Sequence, residues 1–181
     1  MGSPAPARDR LQPALLDRLI DDARQQSNEG EDQRFLSRAA LREAVLRDLV
    51  WLFNAVQPLR PQEGSAFPQV ARSVLNFGLP ALSGQVASRV DVSVLERAIR
   101  DTIIAYEPRI LAESLTVRAL ESEDVLQAHN VIEFEIRGWM WAQPVPLELL
   151  LRTKVDLEVG QVRLRDLAPG AAGRLRGPAE A

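Results

Sequence analysis

The hydrophobic period changes once along this chain, near Leu115, and that change fixes the class of fold. Upstream, apolar residues recur at three- and four-residue steps; downstream they alternate residue by residue. Helices first and strands after describe an α+β domain. The expected architecture has N-terminal helices packed on one face of a mostly antiparallel three- to four-stranded sheet, formed by the C-terminal half.

In the helical half, a long helix is expected from about Ser37 to Val56. Ser37 is its N-cap, and Leu41, Val45, Leu49, Leu52 and Val56 form the buried stripe, widened by Trp51 and Phe53. Pro58 and Pro61 close it. A short helix from about Pro68 to Phe77 carries Val70, Val74, Leu75 and Phe77, with Gly78 as a left-handed stop and Pro80 beyond. A third helix starts near Asp91, capped either by Asp91 or by a box of Ser93 and Glu96. Its apolar face is Val92, Leu95, Ile99, Thr102, Ile103 and Tyr106.

Pro108 ends that helix, because its ring crowds Glu107 out of the helical region. In extended backbone, residues two apart point the same way. Glu107 and Arg109 are therefore expected to project together from the tip where helix turns to sheet. They either pair with each other or offer a fork of donors and an acceptor to a partner. Two solvated charges beside a proline stop is the plainer alternative.

In the strand half, Leu115, Val117 and Ala119 alternate with Thr116 and Arg118. A polar turn ends at His129-Asn130. Ile132, Phe134, Ile136 and Met140 then alternate with Glu133, Glu135 and Arg137, and Leu147, Leu149, Leu151, Thr153, Val155 and Leu157 with Glu148, Arg152, Lys154 and Asp156. Val159-Gly160 turns the chain into a last strand, Gln161 to Arg165. One face of this sheet is apolar and the other charged.

The ends read differently. Residues 1–34 form a flexible segment with a short amphipathic helix on Leu11, Leu15, Leu16, Leu19 and Ile20, leashed by the polar stretch Ser27 to Gln33. That helix either folds back or binds a partner. Residues 35–167 form the folded domain, and the Gly/Ala/Pro-rich residues 168–181 are expected to be disordered.

Composition narrows the chemistry. There is no cysteine, which removes disulfides, thiolate nucleophiles and Cys-ligated metal. The lone histidine, His129, sits in a polar turn, leaving little for a Ser-His-Asp system or a catalytic zinc. No glycine-rich phosphate loop occurs. A glycosidase needs only two carboxylates, and Glu107, Glu133, Glu135, Glu148 and Asp156 are the candidates. None is set in an apolar pocket by its pattern, and Glu107 has an arginine two residues away. No catalytic residue, cofactor or small-molecule substrate is expected. The net charge is -3 with no basic block, so nucleic acid is not an expected partner. No apolar run approaches a membrane span, and the first residues lack a signal-peptide pattern. A soluble cytoplasmic protein is expected.

The features left point to protein binding. Trp139 and Trp141 fall on the charged face, opposite Met140. Leu150 also breaks alternation onto that face. The alternative for the tryptophans is that they cover a sheet edge or lie under the N-terminal helix. The last strand exposes an edge that can take a strand from another chain, with Arg163, Arg165 and Lys154 limiting indiscriminate pairing.

Several segments together resemble a known family. They are Leu11-Gln12-Pro13 with Leu15-Leu16-Asp17-Arg18-Leu19, Leu46-Arg47-Asp48-Leu49 with Trp51-Leu52, Ser73 to Pro80, and Glu107-Pro108-Arg109. Asn130-Val131-Ile132, Phe134-Glu135-Ile136, Trp141 to Pro146 and Leu151-Arg152-Thr153 complete the set. In this order they resemble TssE, the baseplate subunit family of bacterial type VI secretion systems. That family is related to the wedge proteins of contractile phage-tail baseplates and carries a historical lysozyme-like label. The resemblance implies a structural part in the baseplate wedge with TssF, TssG and TssK, at the cytoplasmic face of the inner membrane. It implies a role in nucleating the TssB/TssC sheath, and it implies that Glu107, Pro108 and Arg109 contact other baseplate subunits. A peptidoglycan-cleaving hydrolase, or a regulatory adaptor on the same fold, are the alternatives.

Overall fold

A computed structural model of the chain describes residues 37–59, 61–84, 90–120, 130–168 and 175–178, together with Leu15. The expected flexible start, the amphipathic helix apart from Leu15, the polar leash, His129 and most of the expected tail lie outside those residues.

Helix α1 (Arg38–Asn54) begins where the Ser37 hydroxyl accepts from the Ala40 amide at 3.1 Å. Leu41, Val45, Leu49 and Leu52 are buried as expected, joined by Ala44, Leu46, Val50 and Phe53. Two residues assigned to that stripe are not in it. The helix stops at Asn54, so Val56 lies beyond it, exposed, in a bridge to Leu79. Trp51 is two residues from both Leu49 and Phe53, which places it on the opposite side of the helix, at about 100° per residue. It is exposed there, with the Arg47 guanidinium 5.1 Å over its ring.

The single helix expected over Pro68–Phe77 is broken. After a separate short helix, α2 (Pro61–Ala66), its span holds α3 (Pro68–Ala71) and a 3-10 turn, Val74–Asn76. Ser73 is the cause: its hydroxyl donates to the Val70 carbonyl at 2.8 Å and accepts from the Leu75 amide at 3.3 Å. Such local bonds compete with the helical ladder. Val74 and Leu75 consequently face solvent. Gly78 follows at φ 125°, and a Cβ there would lie 2.4 Å from the Ala55 carbonyl oxygen. Only glycine lets residues 55–57 and 77–79 lie side by side, bonded Leu79 N–H to Ala55 at 2.9 Å and Gln57 N–H to Leu79 at 2.8 Å.

Helix α4 (Val92–Tyr106) is capped by Asp91, which accepts from the Ser93 and Val94 amides at 3.0 and 3.4 Å. Glu96 is used elsewhere. It accepts from the Ala119 amide at 2.7 Å, while Arg100 donates to the Leu115 carbonyl at 3.2 Å. Both bonds occupy backbone groups at the sheet margin beside α4 and blunt that edge. Leu95, Ile99, Thr102 and Ile103 are buried, with Val92 and Tyr106 packed partly against the core.

The sheet runs in the order β1 (Thr116–Leu120), β2 (Val131–Met140), β3 (Leu147–Asp156), β4 (Gln161–Asp166) and β5 (Leu175–Arg176), every pair antiparallel. The four longer strands are those expected from the alternation. The two-residue β5, in the stretch expected to be disordered, pairs with β4, so β4 is not the terminal edge. Phe134, Ile136, Met140, Leu149, Leu151, Val155, Val162 and Leu164 line the inner face and join the α1 and α4 stripes in one core. Arg42 fastens α1 to the end of β4 through a two-pronged bond to Asp166, at 2.5 and 2.9 Å. The fold is α+β, with its helices N-terminal to an antiparallel sheet.

Candidate functional site

The turn after α4 is the most constrained place in the molecule. Glu107 is the helix C-cap, with its amide on the Ile103 carbonyl at 2.8 Å. Pro108 faces solvent, and the chain turns so that Ile110 N–H reaches the Glu107 carbonyl at 3.1 Å. Residues 109–111 then run beside the end of β2. Trp141 N–H bonds the Arg109 carbonyl at 2.7 Å, and Leu111 N–H bonds the Trp139 carbonyl at 2.8 Å. Ile110 and Met140 meet in that bridge and both enter the core.

Glu107 and Arg109 are together, but they do not stand out from a tip. Glu107 is only 3 % exposed. Its carboxylate accepts from the Arg109 amide at 3.1 Å, from Nε at 2.7 Å and from Nη2 at 2.5 Å. A carboxylate removed from water needs such partners, and three donors from one residue supply them. The two-residue spacing expected to send both groups outward instead closes a ring, because the turn folds Arg109 back over the helix end.

The next contact has no signature in the sequence pattern. Arg109 Nη2 also donates to Asp48 Oδ2 at 2.5 Å, across 61 positions. Asp48 Oδ1 accepts from Arg47 at 2.9 and 3.1 Å. Arg47, Asp48, Arg109 and Glu107 thus form a run of alternating charges that locks α1 to the end of α4. Burial pulls the Arg109 pKa down, but the bonds and charges of Glu107, and then of Asp48, outweigh it and hold it above the ordinary arginine value. The guanidinium stays charged at every pH the fold meets. The Arg109 bonds engage both Glu107 carboxylate oxygens within the chain.

Tyr106 ties a second loop to the same corner. Its hydroxyl reaches the carbonyls of Ser73 and Asn76, at 3.0 and 2.8 Å. Burial raises its pKa. Phe77 packs edge-on against its ring, with centroids 5.4 Å apart. Asn76 is buried, bonding Ala71 at 3.1 Å and the Leu59 amide at 3.2 Å. The loop is therefore fixed from within while Val74 and Leu75 stay 80 % and 70 % exposed. These two were assigned to a helix stripe. The serine before them was the available sign that they leave it.

The other expected site residues occupy the outer face of the sheet. Trp139 and Trp141 are exposed at the end of β2, one zipped to Leu111 and the other to Arg109 through the backbone. Arg163 and Arg165 are exposed on β4, well along the sheet from the tryptophans. Among the described residues no group of three or more His, Cys, Asp and Glu is arranged to hold a metal ion, and no helix is long and apolar enough to cross a membrane.

Residues 39–145 match the family model described as "Baseplate wedge protein gp25". The match runs from α1 through the corner to the turn after β2. Curated proteins and solved structures gave no match.

Proposed function

Because this chain belongs to the baseplate wedge protein gp25 family, we propose that it is a structural subunit of a type VI secretion baseplate, docked through its α4 corner. The family makes it a phage-tail-like baseplate component whose work is contact with other baseplate proteins. The finer reading places it in the wedge with TssF, TssG and TssK, at the cytoplasmic face of the inner membrane, where it helps to nucleate the TssB/TssC sheath.

One observation carries this reading. The corner is held from within and apolar outside: buried Glu107, its half-buried charged partners and the Tyr106 hydroxyl hold it, while Pro108, Val74 and Leu75 face solvent. A preorganised apolar loop beside a proline loses little entropy on docking. Glu107 and Arg109 then act by setting the shape that a neighbour meets.

The test is co-purification of the full chain with TssF and TssG. The double variant Val74→Ser/Leu75→Ser should melt like the parent, because both side chains are already in water, and should fail to bring down either subunit. A folded variant that still assembles normally overturns this docking site. A parent chain that binds neither subunit overturns the wedge assignment itself.

A further inference from the structure

The outer face of the sheet carries a positive excess that the net charge of -3 conceals. Six cations project there from β1 to β4: Arg118, Arg137, Arg152, Lys154, Arg163 and Arg165. Four carboxylates share the face, Glu133, Glu135, Glu148 and Asp156.

The register concentrates the excess. Arg152 stands directly opposite Arg165, and Lys154 directly opposite Arg163. Like charges placed opposite each other destabilise an antiparallel pair. The carboxylates undo this only in part. Glu133 pairs with Lys154 at 2.7 Å, and Glu135 turns to Arg137 at 2.7 Å although Arg152 is its cross-strand neighbour. Asp156 is spent on the Glu158 and Val159 amides at the β3–β4 turn. Arg152 and Arg163, one from each like-charged pair, make no ion pair with a described residue.

We propose that Arg152 and Arg163, on the facing strands β3 and β4, dock an acidic face of a partner protein. Carboxylates set between the facing strands would turn a repulsive arrangement into a neutralised one. The surroundings also suit a protein. Half-buried Leu150 lies on this face and exposed Trp139 beyond it, mixing apolar surface with charge as protein interfaces do. The inference rests on register and charge and is independent of the wedge reading.

The probe is a fluorescein-labelled glutamate decapeptide, titrated with the full chain and read by anisotropy at low ionic strength. Arg152→Gln/Arg163→Gln should bind about fivefold more weakly, from the loss of two exposed charge contacts. Arg38→Gln/Arg72→Gln removes the same charge from the helical side and should bind like the parent. Salt should weaken the parent's binding. Equal binding by the parent and the β3–β4 variant overturns the proposal. So does tighter binding of a labelled single-stranded DNA oligomer than of the peptide at the same salt. Self-association in sedimentation velocity that the β3–β4 variant abolishes would make a second copy the occupant, and also overturns it.

Discussion

At the α4 corner, four charges alternate in sign through direct contacts, from Arg47 through Asp48 and Arg109 to Glu107, and sum to zero. On the outer face of β3 and β4, four cations stand in two like-signed pairs, open to water. The side chains are of the same kind, and the surroundings decide what they do. Where water is largely excluded, as around Glu107, a guanidinium and its carboxylates must be matched, and the result is a lock between distant segments. Where water remains, mismatch costs little enough to persist, and Arg152 and Arg163 stay available to an outside anion.

The sharpest way to break this contrast is Arg109→Ala. It leaves Glu107 buried without its two side-chain donors and should cost on the order of 3 kcal/mol in urea unfolding. Glu107→Gln/Arg109→Met should recover much of that loss, since no charge is then stranded. A loss below about 1 kcal/mol would make the corner no different from a surface pair.

A smaller effect of opposite sign is expected across the sheet. Arg152→Gln removes one opposed pair and should stabilise the chain by about 0.5 kcal/mol. Raising the salt concentration should close the gap between parent and variant by screening the repulsion, with no comparable effect on Arg109→Ala. A destabilised Arg152→Gln would show that the β3–β4 cations are not in conflict.

The smallest effect belongs to a third case, an exposed charge with a local task. The Ser93 hydroxyl and the Val94 amide hold the Asp91 carboxyl below its usual range. Its contribution is therefore present above the ordinary carboxylate pKa and is lost as pH falls through the depressed value. Asp91→Asn keeps a capping oxygen but cannot titrate. Its thermal midpoint should fall less steeply than the parent's on acidification below about pH 4. Parallel acid limbs would show that the cap carries no such linkage.

The sheet was legible because alternation is a local property: each of the four longer strands could be read from its own residues. Cap positions were legible for the same reason, as at Ser37. Leu75 was misplaced because one serine hydroxyl outweighed a stretch of helical spacing, and Trp51 because a wide stripe was drawn through a residue on the far side of the turn. The pairing of Glu107 with Arg109 could be anticipated from two-residue spacing, but its inward direction could not. That direction is set by the turn that folds Arg109 back over the helix end toward Asp48, which has no local relation to residue 109. The like-charged pairs of β3 and β4 could be read only once the register was known, since a shift of one residue would place Arg152 against Leu164 or Asp166.

Ile110 has a mechanical consequence. Hydrogen bonds on either side of it fasten its short segment to the end of β2, where the two indoles sit. Neither ring's backbone can shift without dragging the helix terminus, and the terminus cannot swing without tilting the rings. A subunit seated on the aromatic pair would feel the stiffness of the half-buried arginine behind it, so force applied at one grip is delivered at the other.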